Sequence, residues 1–222
     1  IAGFGVFEFG DVTFDSNFAF DAWDHVFKNV EGAKESDYTN YVGNGGAVLN
    51  RGSLAIKGNA NFLNNHAEGY GGAIYNGVGA TTDISGASAL FSVNTTEDKG
   101  GAIYNYTGAV TISSDNTVFR ENKATNAGGA IYNGGTGATV DLSDSVAVFN
   151  GNKSIVDGGA IYNDANAVLK IGDAKFVNNH ASYDSWDSEG YGGAIFAKGD
   201  LDIVSEKANG VMFSNNAAFS GG

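Results

Sequence analysis

The sequence predicts an all-β protein: a single right-handed parallel β-helix of about seven three-stranded coils. The first observation is a hexapeptide that starts at Gly45, Gly71, Gly100, Gly128, Gly158 and Gly192 and reads GGAIYN in four of these copies. The second is the motif F-x-x-N, which recurs between the copies. The third is a short apolar-x-apolar alternation in the middle of each unit. Such short repeats cannot bury a core alone and therefore stack, and parallel crossovers are right-handed.

The F-x-x-N motif supplies the predicted interior of the coils. Its aromatic rings are expected to stack from coil to coil and to fill the core. The asparagine three residues later is expected to bond through its amide to its equivalents in neighbouring coils. These structural ladders comprise Phe62, Phe91, Phe119, Phe149, Phe176 and Phe213, and Asn65, Asn94, Asn122, Asn152, Asn179 and Asn216.

The Gly-Gly-Ala strand could bury either face, because alternation places apolar residues on both sides of it. Ala and Tyr share one face, and Ile and Asn share the other. The tyrosine column contains Tyr75, Tyr104, Tyr132 and Tyr162, with Leu49, Phe196 and Phe7 expected at the same place in other coils. Since three members lack the hydroxyl, the favoured interpretation is structural stacking. A ligand-binding aromatic strip is the alternative.

The chain is predicted to form one domain over residues 1–222. Residues 45–222 hold the regular coils, with a loop insertion at 180–191. Residues 1–44 are predicted as a degenerate, aromatic-rich first coil with a loop insertion of its own. In that coil Gly5–Asn17 aligns without gaps on Ala47–Asn59, which leaves Phe27 in the place of the F-x-x-N phenylalanine.

Composition excludes several classes of function. The chain has 25 Asp and Glu against 12 Lys and Arg, a net charge of −13. Nucleic-acid binding and polybasic membrane contact both need a cationic face. We therefore expect no nucleic-acid partner and no membrane insertion by this chain. The absence of Cys excludes disulfides and thiolate sites. The chain opens without Met or a basic segment, which is expected of a mature or excised piece.

Catalysis is not expected. One outward strand position holds Asp83, Thr111, Asp141, Lys170 and Asp202 in successive coils. An acidic column with such interruptions is typical of a solvated face. His66 and His180 are equivalent in the repeat and several coils apart, so they do not form a pair. We predict no catalytic residue, no metal ion and no cofactor. The alternative is a polysaccharide-binding or polysaccharide-cleaving β-helix.

Two insertions leave the same corner of the predicted β-helix and form the candidate contact loops. The first contains Tyr38 and Tyr41. The second contains Tyr183, Asp184, Trp186, Asp187 and Tyr191. Insertions in solenoid proteins map to one face, which is often the binding face, and exposed Trp and Tyr are preferred contact residues. We expect these loops to contact a partner or a neighbouring subunit.

The two ends of the predicted rod leave strands without neighbours. The chain starts inside a Gly-Gly-Ala-type strand and stops at Gly222, where the next such strand would begin. Head-to-tail stacking of copies would be a heterologous contact that builds a filament. The expected partners are therefore a second copy, bound end to end through the terminal coils, and a host-cell or surface glycan or protein ligand.

Repeated Gly-Gly-Ala followed by Ile or Val, paired with F-x-x-N, resembles the passenger repeats of chlamydial polymorphic membrane proteins. More broadly, it resembles autotransporter-type β-helical surface proteins. The paired motifs recur six times over nearly the whole chain. The resemblance implies secretion, exposure at the cell surface and adhesion. We therefore predict a non-catalytic extracellular protein that acts in adhesion or as a structural, head-to-tail self-assembling fibre subunit.

Overall fold

The computed structural model describes residues 1–20, 43–181, 190–205 and 209–220, and within them the chain forms strands and turns but no helix. The strands are β1 (Ala2–Gly3), β2 (Val6–Phe9), β3 (Val12–Asp15), β4 (Phe18–Ala19), β5 (Val48–Asn50), β6 (Ser53–Ile56), β7 (Ala60–Leu63), β8 (His66–Ala67), β9 (Ile74–Ile84), β10 (Ser88–Ser92), β11 (Thr95–Thr96), β12 (Ile103–Ile112), β13 (Asn116–Arg120), β14 (Lys123–Ala124), β15 (Ile131–Asn133), β16 (Thr139–Asn150), β17 (Lys153–Ser154), β18 (Ile161–Asn163), β19 (Val168–Val177), β20 (His180–Ala181), β21 (Ile195–Ala197), β22 (Asp200–Ile203), β23 (Val211–Ser214) and β24 (Ala217–Ala218).

The described strands stack in parallel as four ladders, each with one segment from each of seven coils. The Gly-Gly-Ala ladder contains β1, β5, the starts of β9 and β12, β15, β18 and β21. The middle ladder contains β2, β6, the ends of β9 and β12, the starts of β16 and β19, and β22. The phenylalanine ladder contains β3, β7, β10, β13, the ends of β16 and β19, and β23. A short fourth ladder contains β4, β8, β11, β14, β17, β20 and β24.

This arrangement confirms the predicted parallel β-helix. Each coil carries the three predicted strands and, in addition, a two-residue strand of the short ladder. Five coils have a neighbour on both sides, and one further coil lies at each end. The five enclosed coils hold the fully buried core, whereas the terminal coils are more exposed.

The interior is a linear core of apolar side chains. The phenylalanine rings from Phe62 to Phe213 stack with centroids 4.6–4.9 Å apart. Isoleucines of the Gly-Gly-Ala strands, such as Ile74 and Ile103, are fully buried on another side of the core. Burying one such side chain stabilises by about 1.5–3 kcal/mol. The repeated burial therefore favours stacking of the coils.

The F-x-x-N asparagines form a continuous ladder from Asn17 to Asn216. From Asn17 to Asn179, each side-chain Nδ2 donates to the Oδ1 of the asparagine in the next coil at 2.8–3.0 Å. Each backbone N–H donates to the same oxygen at 3.0–3.1 Å. From Asn65 onward, Nδ2 also donates to a phenylalanine carbonyl of the preceding coil. The ladder thereby satisfies the polar groups of a buried turn.

A second asparagine ladder, which the repeat pattern did not reveal, runs beside the Gly-Gly-Ala strands. It connects Asn50, Asn76, Asn105, Asn133 and Asn163 through bonds of 2.8–2.9 Å from Nδ2 to Oδ1. All five side chains are fully buried. The Ile and Asn face of this strand therefore faces the interior, which resolves the alternative left open by the sequence.

The paired glycines before each Gly-Gly-Ala strand have different physical roles. Gly71 has a φ of 69°, a left-handed conformation that glycine adopts without a Cβ clash. A Cβ on Gly72 would lie 2.1 Å from the carbonyl oxygen of Gly101 in the next coil. The corner therefore needs the first glycine for its backbone conformation and the second for the close approach of two coils.

The first coil has a different register from the predicted one. Val6–Phe9 pairs with Ser53–Ile56, and Val12–Asp15 pairs with Ala60–Leu63. The predicted alignment of this segment was therefore wrong. The gap-free alignment matched only the alternation of apolar residues, and alternation of period two fits more than one register.

In the observed register, the first coil extends both the stack of phenylalanine rings and the ladder of F-x-x-N asparagines. The Phe14 ring stacks on Phe62 at 5.1 Å, and Asn17 donates to Asn65 at 2.8 Å. Phe14 and Asn17 are thus the F-x-x-N motif of the first coil, in place of Phe27, which lies outside the described residues. Phe7 was expected in the tyrosine column, but it pairs with Leu54 in the middle ladder.

Candidate contact face

The tyrosines of the Gly-Gly-Ala strands form a ladder outside the main core. The rings of Tyr75, Tyr104, Tyr132 and Tyr162 lie 4.8–5.3 Å apart and within 12° of parallel. Each of these residues is only 5–7 % exposed. Because the rings cover one another's faces, their edges and hydroxyls are the parts directed to the surface.

Further aromatic side chains widen this ladder into a face. Tyr70 packs on Tyr104 at 4.6 Å, and Tyr106 lies 6.3 Å from the same ring. At the other end Phe196 follows Tyr162 at 5.5 Å, and Tyr191 packs on Phe196 at 5.7 Å. We define the tyrosine face as Tyr70, Tyr75, Tyr104, Tyr106, Tyr132, Tyr162, Tyr191 and Phe196. Tyr106 is 42 % exposed and Tyr191 is 36 % exposed, so this face offers aromatic surface to a partner.

Charged side chains border the tyrosine face. The Tyr132 hydroxyl donates to Asp164 Oδ2 at 2.9 Å, and Lys198 Nζ donates to the Tyr162 hydroxyl at 2.8 Å. Lys99 Nζ lies 5.1 Å from the centroid of the Tyr132 ring, within the range of a cation–π interaction. An aromatic strip with a polar rim is the usual anatomy of a protein contact surface.

The ionisation of these groups follows from their surroundings. Burial raises the pKa of Tyr104 and of Tyr132, and the hydrogen bond with Asp164 raises the pKa of Tyr132 further. The hydrogen bond with Tyr162 raises the pKa of Lys198. At neutral pH the face therefore presents uncharged tyrosine hydroxyls beside a charged lysine.

The distribution of aromatic residue types singles out this face. The chain has ten tyrosines and two tryptophans. All seven described tyrosines belong to the tyrosine face, whereas the F-x-x-N phenylalanines belong to the interior. The remaining tyrosines and both tryptophans fall within the segments 21–42 and 182–189. Tyr and Trp combine apolar area with a polar group, which favours them at contact surfaces.

Among the predicted contact-loop residues, Tyr191 is the one that the structure describes, and it lies on the tyrosine face. The others lie outside the described residues: Tyr38, Tyr41, Tyr183, Asp184, Trp186 and Asp187. The described residues that border the segments 21–42 and 182–189 contact the tyrosine face. The Tyr70 N–H donates to Asn44 Oδ1 at 2.8 Å, and the Tyr191 N–H donates to Asp157 Oδ1 at 3.0 Å.

The repeated unit that builds this face matches a known family. The model of the Chlamydia polymorphic membrane protein (Chlamydia_PMP) repeat matches residues 59–77, 88–106, 116–134 and 147–164. In these four stretches the chain is similar to that repeat family. Neither a curated protein nor a solved structure matches it. The repeat type and the parallel solenoid together indicate a surface-exposed β-helical protein.

Each matched polymorphic membrane protein repeat runs from the phenylalanine strand to the end of the following Gly-Gly-Ala strand. The first match, residues 59–77, contains Phe62 of the core, Asn65 and Asn76 of the two amide ladders, and Tyr75 of the tyrosine face. The other three matches contain the equivalent four residues. The tyrosine face is therefore part of the repeated unit.

The other residues considered for chemistry lie on separate ladders. Within the acidic column, Lys170 Nζ lies 3.5 Å from Asp141 Oδ2. His66 and His180 lie on the short ladder with three strands between them, and His66 Nδ1 lies 2.7 Å from Thr95 Oγ1.

In the part of the chain that the structure describes, no group of three or more His, Cys, Asp or Glu residues could hold a metal ion. The described residues also contain no helix that is long and apolar enough to cross a membrane.

Proposed function

We propose that the chain is a secreted, non-catalytic adhesion protein of the cell surface, and that the tyrosine face makes the adhesive contact. The observation that carries the proposal is the separation of the F-x-x-N phenylalanines from the tyrosines. The phenylalanines from Phe62 to Phe176 fill the interior, whereas every described tyrosine lies on the tyrosine face. The repeat family and the solenoid fold support exposure at a surface.

The geometry of the tyrosine face favours a protein ligand. A sugar ring stacks on the face of an aromatic ring, but the ladder rings already stack on one another at 4.8–5.3 Å. Their hydroxyls, the bordering charges and the exposed Tyr106 and Tyr191 are better suited to hydrogen bonds and edge contacts with a polypeptide.

Adhesion is tested by measuring the binding to cultured epithelial cells of beads that carry the purified chain. We expect Tyr106→Ser with Tyr191→Ser to reduce bead binding by about tenfold, because aromatic anchors supply much of a contact's free energy. Val93→Ser is the matched control, since Val93 is 40 % exposed on another part of the surface. Equal binding by all three proteins would contradict the proposal.

The segment 182–189, which lies outside the described residues, is tested separately. Trp186→Ala with Tyr183→Ala removes two large aromatic side chains from the segment that ends beside Tyr191. We expect this variant to lose adhesion as well. If neither adhesion nor assembly changes, this segment has no contact role.

The non-catalytic part of the proposal has its own test. The chain is incubated with uronate polysaccharides, with and without Ca²⁺, and solution viscosity is followed. We expect the viscosity to stay constant. A steady fall would show polymer cleavage and would favour the polysaccharide-cleaving alternative.

A second candidate function is that of a structural subunit that self-assembles end to end. It is favoured by the parallel ladders, in which each described coil extends the one before it in register. Electron microscopy with light scattering over a range of concentrations tests it. Filaments are the expected result, and single particles at every concentration would contradict this role.

A further inference from the structure

We propose that the part of the tyrosine face around Tyr104 binds a cationic side chain, Arg or Lys, of the partner, and that the partner therefore presents a basic polypeptide segment to this face. This inference rests on the adhesive contact proposed above and names the chemistry of the partner. The site consists of Tyr70, Tyr104, Tyr106 and Asp98, and is called the cation site below.

Two lysines of the chain itself already lie on this tyrosine ladder. Lys99 Nζ lies 5.1 Å from the centroid of the Tyr132 ring. Lys198 Nζ lies 5.3 Å from the rings of both Tyr162 and Phe196. These distances are within the range of cation–π interactions. The ladder therefore binds ammonium groups at two places within one chain.

Tyr104 has aromatic neighbours where Tyr132 has a lysine. In both coils, the residue before the next hexapeptide lies over the tyrosine that follows: Lys99 lies over Tyr132, and Tyr70 packs on Tyr104 at 4.6 Å. The Tyr106 ring lies 6.3 Å from the Tyr104 ring and within 17° of parallel. Among the described residues, no Lys or Arg lies over the rings of the cation site.

The rings of the cation site differ in their access to solvent. Tyr106 is 42 % exposed, Tyr70 is half-buried, and Tyr104 is only 7 % exposed. A cation is attracted to the face of an aromatic ring. Tyr106 therefore supplies the ring that a partner reaches, and Tyr104 packs against it and restricts its orientation.

Asp98 adds a negative charge beside these rings. Burial raises the pKa of Tyr70 and of Tyr104, and the nearby Asp98 carboxylate is a further cause in each. Asp98 Oδ1 accepts a hydrogen bond from Asn126 Nδ2 at 2.6 Å, which orients the carboxylate. Among the described residues, no Lys or Arg lies within ion-pair distance of Asp98. The exposed Glu97 precedes it and increases the negative charge.

An aromatic ring beside a carboxylate suits a guanidinium group especially well. Arginine stacks on an aromatic face and can pair with a carboxylate at the same time, whereas lysine acts as a point charge. The net charge of −13 attracts a basic polypeptide and repels an acidic one. Charge and ring geometry therefore favour the same occupant.

Fluorescence anisotropy with a short labelled peptide of alternating Arg and Ser tests the cation site on the purified chain. A peptide with citrulline in place of Arg is the control, because citrulline keeps the shape of arginine but is uncharged. We expect the Arg peptide to bind at least about tenfold more tightly than the citrulline peptide, since only arginine forms charged contacts.

Two substitutions locate the binding. Asp98→Asn and Tyr106→Leu should each weaken binding of the Arg peptide by about fivefold, because each removes one of the two groups that hold the cation. Asp115→Asn is the matched control, since Asp115 is exposed between β12 and β13 and its loss changes the net charge equally. Circular dichroism verifies that all three variants fold.

Equal affinity for the two peptides would overturn the inference. Equal weakening by Asp98→Asn and Asp115→Asn would also overturn it, because net charge alone would then attract the peptide. Free Arg peptide should reduce the binding of chain-coated beads to epithelial cells. If Tyr106→Ser with Tyr191→Ser abolishes adhesion but the Arg peptide does not compete, the partner is not basic and the inference fails, although the proposed function stands. If the peptide binds at the cation site but no substitution in the tyrosine face changes adhesion, the proposed function fails and the cation site remains.

Discussion

Asn122 shows how a single residue position holds two coils together. Its Oδ1 accepts the Asn94 N–H and Nδ2, both at 3.0 Å. Its Nδ2 donates to the Phe91 carbonyl at 3.0 Å and to Asn152 Oδ1 at 2.9 Å. The side chain is fully buried and all its hydrogen-bonding groups are used. A replacement that lacks either the donor or the acceptor leaves partners unsatisfied.

Asn122→Asp should destabilise the protein by about 3 kcal/mol or more at neutral pH, because it buries a charge whose neighbours are carbonyl oxygens. The loss should shrink as the pH falls, since a protonated carboxyl group can again donate a hydrogen bond. Urea denaturation at several pH values measures both effects. Asn150→Asp is the control, because Asn150 is exposed and should be nearly neutral. Equal losses for the two variants would contradict the role given to the ladder.

Ser154 contrasts with Asn122, whose hydrogen-bonding groups are all used. Its hydroxyl is buried and has no hydrogen-bond partner among the described residues. The same position of the short ladder holds Ala124 and Ala181 in the adjacent coils.

Ser154→Ala should therefore be neutral or should stabilise the protein by up to about 1 kcal/mol, because it removes an unsatisfied polar group. Thermal unfolding followed by circular dichroism measures the change. Thr96→Ala is the control at the same ladder position, because the Thr96 hydroxyl donates to the Gly69 carbonyl. That variant should lose stability. A clear loss in Ser154→Ala would show that the hydroxyl has a partner.

At the scale of elements, the Gly-Gly-Ala strand buries apolar residues on both faces. Its isoleucine faces the linear core and its tyrosine faces a separate outer cluster. Burial raises the pKa of Tyr104 and of Tyr132 in the folded protein. Their contribution to stability is therefore complete below the unfolded pKa of about 10 and is lost as the pH rises above it.

Tyr104→Phe should consequently resist alkaline unfolding better than the wild-type chain, since it removes a buried group that must ionise. Tyr132→Phe is the comparison at neutral pH, because it also loses the hydrogen bond to Asp164 and should cost about 1 kcal/mol. Absorbance at 295 nm and circular dichroism, followed together from pH 8 to 12, measure ionisation and unfolding. Ionisation of all tyrosines well before unfolding would contradict the burial of the ladder.

The elements also show what the sequence could and could not predict. The spacing of the motifs was sufficient to predict the parallel coils, because each motif recurs once per coil. It was insufficient for the first coil, where alternation alone fitted a false register and hid the motif at Phe14 and Asn17. The second amide ladder was missed because Asn76 and its equivalents follow a tyrosine that faces outward, whereas their own side chains turn into the core.

The tyrosine face could be predicted only in part. The column of Tyr75, Tyr104, Tyr132 and Tyr162 was visible in the repeat, but its outward direction was not. Tyr70 and Tyr106 stand outside the strict hexapeptide, so their packing on Tyr104 depends on how the corners fold. The separation of the F-x-x-N phenylalanines from the tyrosines of the hexapeptide was a sequence signal that could have located this face.

At the scale of the whole molecule, the described coils stack in parallel and carry the tyrosine face along one side of the stack. The tyrosines of this face come from successive coils. A partner that spans several coils would therefore contact several of them at once and gain avidity.

Hydroxyl-radical footprinting of the chain while it is bound to epithelial cells tests the contact face most directly. Oxidation of Tyr106 and Tyr191 should fall on binding, whereas oxidation of the exposed Val93 and Met212 should not change. This comparison needs no substitution and so does not depend on the stability of a variant. Unchanged oxidation of the two tyrosines, or protection of Val93 instead, would contradict the assignment of the tyrosine face as the adhesive surface.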